Sequence, residues 1–397
     1  MLEISNLRIE KNEEIQKLVA DIKVEGIKNP FTESQIWFQT DEGNGMKFSC
    51  DSYDAFVLVP TYLAMYYKTD LHIKGNVSRK FYRNLVHYII PLFCNFSDNL
   101  ERINVIVDGF TDSDTTSGGG TRLVGTGISC GIDSLSTIFD NYVKEEHPEY
   151  RINSLFLFNC GTHGDFNDSK ANTIFDSRVR MNKTAANELG LKMYIVNSNL
   201  HSFTHLIGEQ KMGYIAIYSC ILSLQNQIKR YYVSSSYSYQ EMLQFHEQAH
   251  DFDMAEYCES VLIPLIHTEK LELILDGSQY KRSKKTENIA DWEFAQKHLN
   301  VCVNPDATAK NCSCCSKCFR TLMPLDVMGK LEKFDSVFDL DTYKKNKIKK
   351  LDVVVWNYGK NGFDTDNYDF ALKKGYPLPS KGSVFFRKVL RKLRIKK

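Results

Sequence analysis

Two groups of residues in this 397-residue chain have the types and spacing that chemistry needs. The first is Ser129-Cys130-Gly131-Ile132-Asp133-Ser134, a small-residue turn between a strand-like run over residues 121–128 and a helical pattern over 133–146. Backbone N–H groups at the start of a helix have no intrahelical acceptor, so such a turn suits an anion. Ser129 and Ser134 add hydroxyl donors, and Gly131 lets the main chain approach phosphate with no Cβ in the way. Asp133 is acidic and reads as a cap for the turn or as a ligand for magnesium. An ordinary capped turn uses the same residue types, so the loop by itself leaves both readings open. The second group is Cys302, Cys312, Cys315 and Cys318, spaced C-x9-C-x2-C-x2-C, with Cys314 as an extra neighbour. Four thiolates satisfy tetrahedral zinc and leave no open position, which makes a structural site; an iron–sulfur cluster also takes four thiolates. Asn311, Ser313, Ser316 and Lys317 set this cluster in a polar loop rather than a core.

Two further patterns call for weighing. His246-Glu247-Gln248-Ala249-His250 fits H-E-x-x-H, in which two histidines one helical turn apart bind zinc and the glutamate activates water. No glycine turn or third histidine follows, and Glu256 and Glu259 come early for a third ligand, so a zinc metalloprotease through His246, Glu247 and His250 is the least favoured reading. The stretch Val384 to Lys397 sets apolar residues at near-helical spacing among seven positive charges. Such a helix suits an anionic membrane surface or nucleic acid, or docks on the protein's own acidic body.

The elements that must position these residues follow from the hydrophobic pattern. Residues 1–115 mix short strand-like runs (Ser34 to Phe38, Ala55 to Pro60, Asn104 to Val107) with a helical pattern from Tyr82 to Ile90, which reads as a small α+β domain. A glycine-rich linker, Thr111 to Gly120, follows. From Thr121 the rhythm alternates: strands at Ser154 to Asn159, Lys192 to Asn197 and Arg230 to Ser234, with helices at Asp176 to Leu189 and Tyr214 to Lys229. Alternation of this kind predicts an α/β fold, a parallel sheet with helices on both faces and ligands at the carboxyl ends of its strands. Residues 331–397 read as an extension with a short strand at Leu351 to Trp356 and the basic tail.

Composition sets outer limits. With 43% hydrophobic and 25% charged residues the chain is neither fibrous nor of low complexity. The formal charge of +1 hides an asymmetry, since residues 381–397 carry eight Lys or Arg and no acid, against 42 basic and 49 acidic residues elsewhere. Met1-Leu2-Glu3-Ile4-Ser5 does not read as a signal peptide and no apolar run would cross a bilayer, so a cytoplasmic protein is expected. Cys50, Cys94, Cys160, Cys220 and Cys258 are expected to be buried thiols, while the clustered cysteines favour metal over disulfides.

The loop resembles the Ser-Gly-Gly-x-Asp-Ser loop of the PP-loop ATP pyrophosphatases, with Cys130 where that family has its second glycine. It is not a Walker loop, because no Gly-Lys-Ser/Thr follows. The cysteine spacing, followed by Phe319-Arg320, resembles the C-terminal zinc motif of the 7-cyano-7-deazaguanine synthases, and Ile263-Pro264-Leu265 with Lys270 resembles their Pro-Leu and lysine segment. The likeness covers residues 121–330, with the zinc knot at 302–320. It stops at Ser235-Ser236-Tyr237-Ser238-Tyr239-Gln240, where those enzymes have Tyr-Pro-Asp-Cys. The resemblance implies a sheet of HUP/PP-loop type and ATP, Mg2+ and Zn2+ as cofactors. It implies nucleotide binding by Ser129, Cys130, Gly131, Ile132, Asp133 and Ser134, with Asp133 and Ser134 serving catalysis. Asn159, Cys160 and Gly161, which leave the second strand, would lie near the adenosine, and the four cysteines would hold zinc. If the backbone at Cys130 needs φ > 0, a cysteine there is strained.

The function this implies is an AMP-forming ligase. It would adenylate a carboxylate or carbonyl oxygen on a small molecule or a protein, release pyrophosphate, and let a nitrogen nucleophile displace AMP. The differing substrate segment points to a product other than the deazaguanine nitrile. The alternatives are a nucleotide-binding scaffold with weakened catalysis and a tRNA-thiolating sulfurtransferase. A homodimer is compatible with either.

Overall fold

The computed structural model describes residues 1–111, 122–162, 166–207, 209–248, 258–302 and 310–394. The expected linker from Thr111 to Gly120 lies outside them but for its first residue. Two compact units divide the chain: Met1–Ile128 with Asp140–Ser235 and Met242–Asp276, and Ser129–Phe139 with Ser236–Glu241 and Gly277–Lys397.

The first unit is a mixed α/β unit built on one large sheet. Its strands are β1 (Leu2–Lys11), β2 (Ile15–Val24), β3 (Gln35–Asp41), β4 (Leu71–Val77), β5 (Val105–Phe110), β6 (Leu123–Gly127), β7 (Ser154–Asn159), β8 (Lys192–Ser198), β9 (Ile228–Ser234) and β10 (Glu272–Asp276). They lie in the order β10-β9-β6-β7-β8-β3-β2-β1-β4-β5. From β10 to β8 every pairing is parallel, as the alternating rhythm predicts. Every residue of β7 is buried, which is what a strand covered on both faces requires. Gly125 on β6 has no room for a side chain, since a Cβ would stand 2.4 Å from the Phe156 ring. Numbered along the chain, the five parallel strands run 3-2-1-4-5 from β8 to β10, so β6 is the strand at which the winding reverses. In sheets of this order ligands bind beyond the carboxyl end of the switch strand.

The first 110 residues extend the same sheet. β3 pairs antiparallel with β8, Phe38 opposite Ser198 and Gln39 opposite Asn197. Side chains bind this seam: Ser198 Oγ donates to Trp37 O at 2.8 Å and the Trp37 N–H donates to Asn199 Oδ1 at 3.0 Å. The run Ala55 to Pro60, expected as a strand, is instead a 3-10 turn at Asp54–Phe56 leading into the helix Leu58–Tyr66. That helix is buried almost throughout, so its residues show neither the alternation of a strand nor the stripe of a surface helix.

The second unit is helical. Its main helices are α1 (Ile132–Ile138), α2 (Arg282–Ile289), α3 (Ser316–Val327), α4 (Leu340–Asn357), α5 (Gly362–Lys373) and α6 (Lys381–Arg394). The strand expected at Leu351 to Trp356 is the last part of α4. Asp339 caps that helix by accepting from the Thr342 N–H at 3.0 Å. Leu351, Val354 and Val355 are buried while Val353 and Trp356 are exposed, a helical face that overrides the β-branched composition. Asp326 on α3 holds the unit's interior together, accepting from Tyr343 at 2.8 Å and Tyr376 at 2.9 Å and pairing with Lys347 at 2.6 Å. No helix among the described residues is long and apolar enough to cross a membrane.

Candidate functional site

The chain leaves β6 at Gly127 and enters the loop Ser129 to Gly131, which opens α1. Cys130 sits there at φ +55 and is fully buried. The left-handed backbone that a glycine would adopt freely is thus imposed on a cysteine, at a cost of about 1 kcal/mol. Gly131 itself has an ordinary extended backbone at φ −78. The turn is closed by its serines: Ser134 Oγ accepts from the Ser129 N–H at 3.2 Å, and Ser129 Oγ from the Gly131 N–H at 3.3 Å. The first intrahelical bond runs from the Leu135 N–H to Gly131 O, so the amides of Ile132, Asp133 and Ser134 precede it. Relief of strain and loss of a buried thiol should nearly cancel in Cys130→Gly, leaving urea stability within about 1 kcal/mol of the parent. Cys130→Val, β-branched at positive φ, should lose about 2 kcal/mol. Equal stability of the valine variant would show that this backbone is not held left-handed.

Asp133 does not cap the turn. Its carboxylate lies between two cations of α2, Arg282 Nη1 to Oδ2 at 2.5 Å and Lys285 Nζ to Oδ1 at 3.2 Å. Burial alone would raise this carboxyl, but the charges of Arg282 and Lys285 and their hydrogen bonds outweigh it and hold it below its ordinary value. With each oxygen paired to a cation, the donor set does not fit magnesium at Asp133. Lys285 is 1% exposed and Arg282 14%. The Arg282 Nε is buried with no hydrogen-bond partner among the described residues. Gly277, at φ +85, makes room for the lysine stem, since a Cβ there would stand 3.2 Å from Lys285 Cε. α2 is fixed at its start by Asp366 of α5, which accepts from the Ser283 N–H at 2.8 Å and the Ser283 hydroxyl at 2.7 Å. Arg320 adds a third cation, its guanidinium 4.0 Å above the Phe363 ring; burial and the Arg282 charge both lower its pKa.

The four cysteines converge. Their sulfurs lie within 4.8 Å of one another, with Cys302 to Cys315 at 4.0 Å and Cys312 to Cys318 at 3.8 Å. A tetrahedron of Zn–S bonds of about 2.3 Å has edges of roughly 3.8 Å, so the set can hold a metal ion such as zinc. Cys314 stays exposed and outside it, 3.8 Å from Cys312. Burial raises the Cys312 thiol, but N–H groups of Cys314 and Cys315 and the neighbouring thiols prevail and bring it to about 6. Burial and Cys315 push Cys318 the other way. The cluster is assembled by Asn311, an amide buried to 2%. Its oxygen accepts from Val301 and Cys302 N–H at 2.8 and 3.0 Å, and its nitrogen donates to Leu299 O and Val337 O, both at 2.9 Å. One step upstream, the Asn300 N–H donates to Cys130 O at 2.8 Å, so the loop and the segment leading to Cys302 share a main-chain bond.

The remaining expected residues lie in the first unit. Asn159 ends β7 and donates to Asn197 Oδ1 at 3.2 Å. Cys160 is 2% exposed and shares a thiol hydrogen bond with Cys220, and Gly161 has φ +129 with the His201 ring 3.1 Å from where a Cβ would be. Lys270 donates to Asn226 at 2.8 Å. Among the cysteines expected to be buried, Cys50 is exposed and Cys94 half-buried. Of the H-E-x-x-H pattern, Ala249 and His250 lie outside the described residues, as do the side chains of His246 and Glu247. Glu259, weighed as a ligand, is buried and accepts from Tyr218 at 3.2 Å. Sequence reasoning passed over Arg282 and Lys285, although the run Lys281-Arg282-Ser283-Lys284-Lys285 just after a strand was the available signal. It also passed over Asn311 as the organiser of the cluster. No family model, curated protein or solved structure matches this chain.

Proposed function

We propose that this chain is an ATP-dependent enzyme of the PP-loop type that adenylates a carboxylate or carbonyl oxygen, releasing pyrophosphate, for attack by a nitrogen nucleophile. The observation that carries this reading is the buried pair Arg282 and Lys285 at the first turn of the helix opened by Ser129 to Gly131. A bound nucleotide would supply the electrophilic α-phosphorus and the leaving pyrophosphate. Amides of the first turn of α1 would receive phosphate oxygens, as helix N-termini do. Arg282 and Lys285 would stand as fixed positive charge where negative charge gathers on the departing group, and the unsatisfied Arg282 Nε offers one more donor. The loop also follows β6, the switch strand. A sulfur-carrying role has no support of this kind, since Cys160 is buried.

Pyrophosphate release from ATP and magnesium, measured across a panel of carboxylates with ammonia as acceptor, tests the reading. Arg282→Ala should lower the rate by roughly a hundredfold while circular dichroism shows the fold retained. Binding of a non-hydrolysable ATP analogue with no release under any substrate mixture would establish the scaffold alternative instead.

A further inference from the structure

We propose that α6 is a membrane-surface helix whose outward face inserts among the headgroups of an anionic phospholipid bilayer while its inward face stays docked on α4. The docked arc is made of Val384, Arg387, Lys388 and Arg391, spaced as one face of a helix. Val384 is 1% exposed. Arg387 pairs with Asp352 at 2.5 Å, Arg391 reaches the same carboxylate at 2.9 Å, and Lys388 Nζ stands 3.6 Å over the Trp356 ring. The opposite arc holds Phe385, Phe386, Val389 and Leu390, which are 58%, 63%, 39% and 40% exposed. A terminal helix that served only to close its own unit would turn its phenylalanines inward and its cations to water. α6 does the reverse.

Charge identifies the occupant. Residues 340–397 carry sixteen Lys or Arg against five Asp and no Glu, so the chain's remainder is net acidic. An apolar arc flanked by dense positive charge is the signature of a helix lying in the plane of an anionic interface. Tyr358, just past the end of α4, is also exposed, and rings of this kind favour the headgroup level. Nucleic acid fits less well, because it takes cations on the outward arc. Here Arg387 and Arg391 are spent on Asp352, and the outward arc is apolar.

The test is co-sedimentation of the full chain with phosphatidylcholine vesicles containing about a third phosphatidylserine, against vesicles of phosphatidylcholine alone. Binding is expected only to the anionic vesicles, weakening as salt rises. Phe385→Ser with Phe386→Ser, two exposed positions whose loss leaves the docked arc intact, should weaken it by roughly tenfold or more. No binding to the anionic vesicles, or binding that the double substitution leaves unchanged, overturns the proposal. So does binding to an RNA or DNA duplex that outcompetes the vesicles and ignores the phenylalanines. None of these outcomes depends on ATP chemistry.

Discussion

Cys318→Ser is expected to abolish metal binding by the four-cysteine cluster and to lower stability by about 4 kcal/mol or more, the largest effect expected of a single substitution in this chain. Cys318 is fully buried at the start of α3, and its sulfur closes the set with Cys302, Cys312 and Cys315. Four thiols crowded within 4.8 Å favour a metal that takes their protons, because thiolates this close repel one another unless a cation stands between them. Structural zinc supplies on the order of 10 kcal/mol in peptides, so even partial coupling to this fold exceeds an ordinary core truncation. Elemental analysis should return one metal per chain for the parent and almost none for the variant, with a drop in the urea midpoint. Cys314→Ser should keep the metal, since that thiol is exposed and outside the set. A colourless protein identifies zinc, whereas visible absorption identifies an iron–sulfur cluster. Full metal content in Cys318→Ser would refute the assignment.

The second large effect is expected at Asp133. Replacing it with alanine leaves Arg282 and the almost wholly buried Lys285 facing each other without the carboxylate between them, which should cost about 3 kcal/mol. The pH dependence has a definite sign. The folded carboxyl is held below its ordinary value of 3.8, so its contribution is fully present above that pH and is lost as pH falls through the lower folded value. Stability should therefore drop more steeply below about pH 4 in the parent than in Asp133→Asn, while the gap between the two stays constant from pH 5 to 7. Equal acid profiles for the two proteins would show that the triad is not formed in solution.

The parts of this molecule legible in its sequence are those whose signals are local. The apolar run of β7 can only be a strand covered on both faces, and its bounds, Ser154 and Asn159, were readable directly. The cysteine spacing picks out the four thiols that converge, and the positive φ expected to strain a cysteine at position 130 is present. What stayed hidden depends on distant partners. Arg282 and Lys285 look like a solvated charge run until α2 is laid beside α1, where a carboxylate 149 residues earlier receives them. Leu351 to Trp356 has strand-forming residues, yet Asp339 starts a helix and the unit buries one side of it. The joining of β3 to β8 rests on main-chain pairing and on Ser198 and Asn199, polar residues that carry no periodicity of their own. Asp133 follows the same rule: a carboxylate in a phosphate-like loop reads as a cap or a metal ligand while its two cations are out of view.

The discontinuity of the second unit bears on how the protein is made. Its first piece, Ser129 to Phe139, is synthesised long before Gly277 to Lys397, yet the two cations that pair with Asp133, and the Asn300 N–H that donates to Cys130 O, belong to that later segment. Until the ribosome has delivered it, the acidic side chain of the loop lacks the two cations that hold it in the folded protein. The strands of the large sheet, by contrast, are all complete by Asp276. Long-range closure of this kind is slow and comes late. The contacts of the loop with Arg282, Lys285 and Asn300 thus close only after the strands of the large sheet have been translated.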